Sequence, residues 1–311
     1  MNKKYLEFRT DMADERVDTY KRINNLTEID GVKVESKTSE FFTTTTVDVL
    51  NENGANALSK EIGKYITMEI KDIKYLDEDT KNKIVTELAN QIKILIGDDK
   101  DKSVLVVGLG NIYVTPDALG PKVIQDIEVT RHLINFAKDL VEPNTRCVSG
   151  ISPGVLGTTG IETSEIVTSV SSIVKPDIVI VIDSLASQSM NRLGTTIQLS
   201  NTGITPGAGV RNKRQGINKN TLNVPVIAIG VPTVVDLGTI IDEGLDIFIE
   251  KLQEKAESNE YLNKLKEQDN YEEIKEALAP NDYNMIVTPK EIDDLIENMK
   301  DVIARGINYA V

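Results

Sequence analysis

The most constraining feature of the sequence is a short apolar run that ends in glycine and leads into a loop with one carboxylate. Val104–Val107 is aliphatic throughout, which predicts a buried parallel strand. Gly108 and Gly110 follow it and allow a tight turn. The loop beyond carries Asp117 between two prolines, which fix their own backbone angles. Because ligands of open α/β sheets bind just beyond the carboxyl ends of the strands, Asp117 is a candidate functional group.

Further apolar runs alternate with amphipathic segments along the chain. Residues 178–182 and 224–229 predict two more buried strands, and residues 79–95 and 162–174 predict amphipathic helices. Alternating strands and helices favour right-handed crossovers and a parallel sheet. The predicted fold class is therefore α/β, with a doubly wound, mostly parallel sheet sandwiched by helices. Thr288–Glu291 predicts a capping box at the start of the last helix.

Composition excludes several classes of protein. The 311 residues contain 35 Lys and Arg against 49 Asp and Glu, and this formal charge of −14 argues against a nucleic-acid-binding surface. No apolar run approaches the roughly 20 residues that a membrane-spanning helix needs, and the N-terminus lacks the apolar core of a signal peptide. Cys147 is the only cysteine, so the chain cannot form an internal disulfide. We expect one compact cytoplasmic domain.

Asp183 is the second candidate functional group. It directly follows the run 178–182, so we expect it at the carboxyl end of that strand, close to Asp117 if the two strands are neighbours. Two carboxyl groups at close range do not both ionise easily, so one keeps its proton near neutral pH. Such a pair supplies the acid and the base that hydrolysis of a peptide bond by water requires. In the structural alternative, Asp183 caps a helix and Asp117 is a turn residue.

Two other patterns point to chemistry less strongly. The glycines at 108 and 110 lack the third small residue of a dinucleotide fingerprint, because that position is Tyr113. His132, the only histidine, could activate Cys147 as a nucleophile. We prefer to interpret them as a structural histidine and a small apolar cysteine.

Three charged features have open interpretations. A metal site built only from carboxylates would use Asp117, Glu162 and Asp183. Residues 201–220 form a basic, glycine-containing segment that could bind acidic substrate side chains, contact another subunit or simply be solvated. The highly charged stretch 254–276 predicts a solvated helix.

Several long motifs, in the same order, resemble the germination protease family of spore-forming Firmicutes. They are Val-Gly-Leu-Gly-Asn (107–111), Val-Thr-Pro-Asp-Ala-Leu-Gly-Pro-Lys (114–122), Thr-Arg-His-Leu (130–133), Pro-Gly-Val-Leu-Gly (153–157), Thr-Gly-Ile-Glu-Thr-Ser (159–164), Asn-Lys-Arg (212–214), Pro-Val-Ile-Ala-Ile-Gly-Val-Pro-Thr-Val-Val-Asp (225–236) and Met-Ile-Val-Thr-Pro-Lys-Glu (285–291). Motifs of this length are specific, and the resemblance runs through nearly the whole chain.

The resemblance implies an atypical aspartic endopeptidase that degrades small acid-soluble spore proteins when germination starts. The two aspartates assigned to catalysis in that family fall on Asp117 and Asp183, and no cofactor or metal is expected. The resemblance also implies a fold similar to that of the hydrogenase-maturation proteases. It further implies a homotetrameric zymogen that is located in the cytoplasm of the forespore and in the spore core, without a membrane partner.

The resemblance also implies that a short N-terminal propeptide is removed by self-cleavage. Residues 9–15 look like a copy of the target sequence in the substrate, with an acidic residue before the bond and an apolar residue after it. We therefore predict cleavage between Asp11 and Met12. This cleavage divides the chain into a propeptide, residues 1–11, and a single catalytic α/β domain, residues 12–311, with peripheral strands and helices. The alternative is a frayed terminus without a regulatory role.

Two other functions stay open from the sequence. A nickel-recognising maturation protease would use the same carboxylates as metal ligands, although the sequence offers no suitable histidine for such a site. A non-catalytic binding module would bind its ligand in the cleft between the strands but would not hydrolyse it.

Overall fold

The computed structural model describes residues 10–71, 76–97, 99–137, 139, 141–143, 145–206, 215–253 and 285–311. Its strands are β1 Val32–Thr38, β2 Phe42–Val49, β3 Gly63–Ile70, β4 Val104–Gly108, β5 Val148–Ile151, β6 Ile178–Ser187, β7 Thr196–Ser200, β8 Val226–Asp236 and β9 Ile286–Val287. Its helices are α1 Ala13–Asn24, α2 Glu52–Leu58, α3 Glu78–Ile96, α4 Leu119–Gln125, α5 Arg131–Phe136, α6 Leu156–Thr159, α7 Thr163–Val174, α8 Lys219–Leu222, α9 Leu237–Gln253 and α10 Ile292–Ala310. The two amphipathic helices predicted from the sequence are confirmed as α3 and α7.

The described strands form one mixed sheet in the order β1-β2-β3-β7-β8-β6-β4-β5, with β9 paired to β8. The neighbours β5, β4, β6 and β8 are parallel, whereas β1, β2, β3, β7 and β9 pair in antiparallel fashion. The α/β class is confirmed, but the sheet is mixed and not mostly parallel as predicted, with its parallel strands in one continuous part. The antiparallel part begins with strands such as the threonine-rich β2, whose mixed polar and apolar composition suits a half-exposed sheet.

Helices cover both faces of the sheet. On one face, α3, α4 and α10 pack on β3, β4, β6, β7 and β8. On the other face, α7 and α8 cover the parallel strands, while α1 and α2 form a smaller cluster with β2 and β3. The side chains of β6 divide between the two faces, with Ile178, Ile180 and Ile182 in the first core and Val179 and Val181 in the second. This two-sided burial explains why β6 begins with five apolar residues in succession.

Strands β6 and β8 run further than their apolar runs predicted. Asp183 lies inside β6, which continues to Ser187, and β8 continues well beyond Ile229. The two strands remain paired along this extension, with one irregularity in their register. Polar residues are accommodated there because the paired strands satisfy each other's backbone groups. The alternative in which Asp183 caps a helix is therefore wrong.

The predicted capping box at Thr288–Glu291 is also wrong. Helix α10 begins at Ile292, and its N-cap residue, Glu291, makes no side-chain capping hydrogen bond. The hydroxyl of Thr288 instead donates a hydrogen bond of 2.9 Å to the carbonyl oxygen of Thr233. This bond ties the chain before α10 to the extended part of β8.

Some predictions concern segments outside the described residues. Three of the basic residues of segment 201–220, which are Arg211, Lys213 and Arg214, lie outside them, and so does the whole charged stretch 254–276. Of the helices in the described part of the chain, none is both long and apolar enough to cross a membrane.

Candidate active site

The candidate site lies where two neighbouring parallel strands end at different heights. β4 ends at Gly108, opposite Ile182 of β6, whereas β6 continues. The amide of Leu109 still donates to the carbonyl oxygen of Ile182 at 2.8 Å. Asp183 is thus the first residue of β6 beyond the end of β4, and it is only 6 % exposed. It lies at the carboxyl edge of β4, although it does not lie at the end of its own strand.

Asp117 reaches the same edge on the loop that follows β4. The loop contains a single 3-10 turn, Thr115–Asp117. The amide of Asn111 donates to the carbonyl oxygen of Asp117 at 3.0 Å and to its Oδ2 at 2.8 Å. Gly110 has a φ of +115°, and a Cβ there would lie 2.0 Å from the carbonyl oxygen of Asp117. The loop can therefore fold back on itself only because residue 110 is glycine.

Asp117 and Asp183 line one cavity of about 340 Å³, so the structure brings the two predicted carboxyl groups together. Asp11 lines the same cavity. Mostly apolar or small residues supply much of the remaining wall: Leu109, Gly110, Val114, Pro116, Val155, Leu185, Ala186, Pro206, Val234 and Ile286. The hydroxyls of Ser184 and Thr233, also on this wall, are buried and have no hydrogen-bond partner within the described part of the chain. Apolar walls with few polar groups are typical of a substrate site.

Burial raises the pKa of Asp183 well above its usual range. Loss of hydration is the main cause, and repulsion by Asp117 and then by Asp11 adds to it. The amide of Ser184 donates to Asp183 Oδ1 at 2.9 Å, which opposes the rise in pKa with a smaller effect. Asp183 therefore keeps its proton to higher pH than an exposed aspartate does. A pair of carboxyl groups in unequal surroundings can supply one acid and one base.

The segment that leads into α1 lies against the extension of β6. The amide of Asp11 donates to the carbonyl oxygen of Ala186 at 2.9 Å, and the amide of Ala186 donates to Asp11 Oδ2 at 3.0 Å. Asp11 thus pairs with β6 through both its backbone and its carboxylate. Met12 follows it and is fully buried. Asp11, the residue before the predicted cleavage, therefore lies on the wall of the cavity.

Two side chains converge on the carbonyl oxygen of Asp11. Lys60 Nζ donates to it at 2.6 Å, and Gln198 Nε2 donates to it at 3.0 Å. Gln198 Oε1 also accepts a hydrogen bond of 2.7 Å from the amide of Ala13. Lys60 lies shortly after α2, and Gln198 lies in β7. Burial, together with repulsion by Arg16, lowers the pKa of Lys60 to about 7.

Buried charged side chains hold the residue before Asp11. Arg16 donates to the carbonyl oxygen of Thr10 from Nε at 3.0 Å and from Nη2 at 2.8 Å. Glu15 accepts hydrogen bonds from the hydroxyls of Thr10 and Ser187, and its Oε1 lies 3.6 Å from Arg192 Nε. Because ionised groups are costly to bury without partners, these contacts fix the position of the segment before α1.

The other residues singled out in the sequence lie outside this cavity. His132 is exposed on α5, and Cys147 directly precedes β5. Burial raises the pKa of the Cys147 thiol, which disfavours the thiolate that a nucleophile requires. Glu162 is the N-cap residue of α7 and is not one of the described residues around the cavity. In the described ranges, no group of three or more His, Cys, Asp or Glu side chains is placed to hold a metal ion.

Sequence reasoning missed Lys60 and Gln198. Neither belongs to a recognisable motif, and the two are far apart in the chain. Gln198 does lie between two apolar residues, Ile197 and Leu199, in a strand that is buried throughout. A lone amide side chain in a buried strand needs a hydrogen-bond partner, and this was the one signal that the sequence offered.

Comparison with known proteins gives consistent matches along the chain. A family model described as germination protease matches residues 7–265 and 251–311. The germination protease of Clostridium perfringens strain SM101 is 46 % identical over 308 residues, which cover 97 % of this chain and 94 % of that protein. The germination proteases of Caldanaerobacter subterraneus subsp. tengcongensis and Bacillus cytotoxicus are 47 % and 39 % identical, over 98 % and 97 % of this chain and 94 % and 93 % of those proteins. A solved NiFe hydrogenase maturation protease from Thermococcus kodakarensis aligns with a TM-score of 0.34 and 14 % identity, over 69 % of this chain and 97 % of that one.

Replacing Asp183 by asparagine tests the effect of its raised pKa on stability. The folded protein holds the Asp183 proton at pH values where the unfolded chain has lost it. The stabilisation from this proton is complete below the ordinary value of 3.8 and is lost as the pH rises through the raised value. We therefore expect Asp183→Asn to become progressively more stable than the wild type with rising pH, by up to about 1.4 kcal/mol per pH unit.

The measurement is urea unfolding of both proteins from mildly acidic to mildly alkaline pH, with the intact mass of each sample verified. Asp101→Asn removes an exposed carboxyl group from a loop and serves as the control, for which we expect no comparable trend. A stability difference between the wild type and Asp183→Asn that stays constant with pH would contradict the raised pKa.

Proposed function

The chain belongs to the germination protease family, and on this basis we propose that it is an aspartic endopeptidase that cleaves small acid-soluble spore proteins. The observation that carries the proposal is the cavity shared by Asp117 and Asp183, whose wall also includes Asp11, the residue before the predicted cleavage. Hydrolysis of a peptide bond requires a base for the water and an acid for the leaving amine. Two carboxyl groups in unequal surroundings supply both without a metal or a cofactor.

Asp183 is the acid and Asp117 is the base in this proposal. Asp183 is buried among other carboxyl groups, so it holds a proton that it can donate to the leaving nitrogen. Asp117 accepts a hydrogen bond from the amide of Asn111 through Oδ2, which suits a carboxylate that takes a proton from water. The proton that Asp183 loses is regained from the water that Asp117 deprotonates, so the pair ends each cycle with its proton restored.

The protein acts on other proteins, in the cytoplasm of the forespore and in the spore core. The extension of β6 beyond β4 offers a backbone edge on which Asp11 pairs with Ala186. An extended substrate chain would pair with the same edge, since addition of a strand is a common mode of peptide recognition. The net charge of −14 favours a protein substrate over direct binding to nucleic acid.

The chain is made as a zymogen whose propeptide is residues 1–11, followed by one catalytic domain, residues 12–311. Asp11 lies on the wall of the cavity that a substrate would enter. While this residue remains paired with Ala186, another chain cannot use the same backbone groups. Removal of the propeptide would free them.

Asparagine at either aspartate should abolish proteolysis. Asp117→Asn and Asp183→Asn each keep the shape of the side chain but remove a titratable group, so we expect turnover to fall by about 100- to 10,000-fold. The assay is cleavage of purified small acid-soluble spore proteins by the processed enzyme, with and without a chelator. Asp101→Asn should keep wild-type activity. Near-wild-type turnover in either dyad variant would exclude that residue from catalysis, and loss of activity on chelation would point to a metal.

Mild acidification should trigger processing between Asp11 and Met12. Lowering the pH favours the protonated form of Asp183, whose pKa is raised by burial and by the neighbouring carboxyl groups, and this form is the acid that the reaction requires. N-terminal sequencing before and after the pH shift should reveal Met12 as the new first residue, and Asp183→Asn should stay intact. A terminus far from residue 12, or processing of purified Asp183→Asn, would disprove self-cleavage by this pair.

We propose that the protein is a homotetramer, as the resemblance to its family implies. Phe41 and Phe42, at the start of β2, are only partly buried within one chain. Analytical ultracentrifugation at micromolar concentration should find a particle of four 34.3 kDa chains. Sedimentation as a monomer under these conditions would contradict the assembly.

A further inference from the structure

We propose that Lys60 and Gln198 form an oxyanion site that binds the carbonyl oxygen of the residue before the cleaved bond. The proposal deepens the proposed function and rests on it, since it assigns the stabilising groups that the two carboxyl groups do not supply. In this chain the carbonyl oxygen belongs to Asp11, and the bond beyond it leads to Met12. Both donors touch the reacting carbonyl group, so they are catalytic residues in this assignment.

Both donors lie within hydrogen-bond distance of the carbonyl oxygen on which the charge would develop. Lys60 Nζ lies 2.6 Å and Gln198 Nε2 lies 3.0 Å from the oxygen of Asp11. Donors to an oxyanion lie about 2.7–3.1 Å from the position that the charged oxygen occupies, so a small movement of this oxygen keeps both contacts. The second polar atom of Gln198 accepts from the amide of Ala13 at 2.7 Å. One side chain therefore holds the chain on both sides of the bond between Asp11 and Met12.

The donors and the carboxyl groups approach Asp11 from different directions. The amide and the carboxylate of Asp11 bond to Ala186 of β6, on the side of the cavity that Asp117 and Asp183 line. The carbonyl oxygen instead bonds to Lys60 and Gln198, and neither is among the described residues around the cavity. A water molecule would attack from the cavity, while the negative charge would develop on the oxygen held by the two donors.

The chemical step balances with these groups alone. The oxygen of water forms a bond to the carbonyl carbon of Asp11 as Asp117 takes one proton from the water. The electron pair of the carbonyl double bond moves onto the oxygen, where the ammonium of Lys60 and the amide of Gln198 stabilise the charge. When the double bond reforms, the bond between carbon and nitrogen breaks. The nitrogen of Met12 leaves with the proton of Asp183.

The surroundings of Lys60 make its positive charge depend on pH near neutrality. Its neighbours are the carboxylates of Asp11 and Asp14, the guanidinium of Arg16, and the ring of Tyr65, whose centroid lies 5.2 Å from Nζ. Burial and Arg16 lower the pKa of Lys60 to about 7, so its charge increases as the pH falls through neutrality. Acidification, which we expect to trigger processing, thus also increases the fraction of Lys60 that is a charged ammonium donor.

The experiment measures the rate at which Met12 appears as the N-terminus of the full-length chain after mild acidification. We expect Lys60→Met to process about 100-fold more slowly than the wild type, because loss of one oxyanion donor typically costs that factor or more. Lys60→Arg keeps a cationic donor and should recover much of the rate. Lys64→Met, which removes a lysine that pairs with Asp48 on the surface, is the matched control and should process normally.

Hydrogen exchange separates stabilisation of the oxyanion from simple anchoring of the segment. The amide of Asp11 bonds to Ala186, so its protection reports whether the segment stays docked. Slow processing of Lys60→Met with this protection retained supports the proposal. If the rate and the protection fall together, Lys60 only holds the segment in place, and the proposal is overturned. Processing of Lys60→Met at the wild-type rate would overturn the proposal as well.

A second variant keeps the test decisive if Lys60→Met does not fold. Gln198→Leu removes the other donor, and we expect a comparable loss of rate with the Asp11 amide still protected. An unchanged rate in this variant would equally overturn the proposal. If the wild type itself does not cut after Asp11, the proposed self-cleavage fails, and this inference fails with it. If the wild type cuts after Asp11 and both variants do so at the same rate, self-cleavage stands and the oxyanion site does not.

Discussion

The difference in length between β4 and β6 is the constraint on which the site depends. Because β4 ends at Gly108, the next residue of β6 has no strand beside it on that side. Asp183 occupies this position, so its carboxyl group is buried in the sheet and yet faces a cavity. The loop after β4 brings Asp117 to the same place. Further along, the uncovered edge of β6 is taken by Asp11, which pairs with Ala186.

Burial then acts on the ionisable groups of this region in opposite directions. It raises the pKa of Asp183 and lowers the pKa of Lys60. Both shifts have the same cause, since a poorly hydrated environment disfavours any charge. The result is an acid that keeps its proton to higher pH, and a cation that loses its proton at lower pH, than their exposed counterparts. Groups of this kind suit proton transfer and charge stabilisation near physiological pH.

The sequence predicted the central strands, the two long amphipathic helices and the proximity of Asp117 to Asp183. These predictions depended on local patterns, which are apolar runs, helical periodicity and glycine after a strand. It did not predict that β6 would continue past Asp183, because polar residues there are held by pairing with β8, which is a contact between distant parts of the chain. The capping box predicted at Thr288 was wrong because the hydroxyl of this residue bonds to Thr233, which lies far away in sequence.

Lys60 and Gln198 mark the limit of reasoning from a single sequence. Each is unremarkable among its neighbours, and their meeting on one carbonyl oxygen depends on how α2 and β7 are placed in space. Resemblance to a family identified the two aspartates residue by residue, but it carried no information about side chains that lie outside the matched motifs. Only the folded arrangement connects them with Asp11.

The contacts of residues 10 and 11 also bear on how long the processed protein would last. Cleavage after Asp11 would take the hydroxyl of Thr10 from Glu15 and the carbonyl oxygen of Asp11 from Lys60 and Gln198. Each polar group that loses its partner in a buried setting costs about 1–3 kcal/mol. The cleaved chain would thus have a smaller free energy of unfolding than the intact chain. Activation would then shorten the lifetime of the folded enzyme.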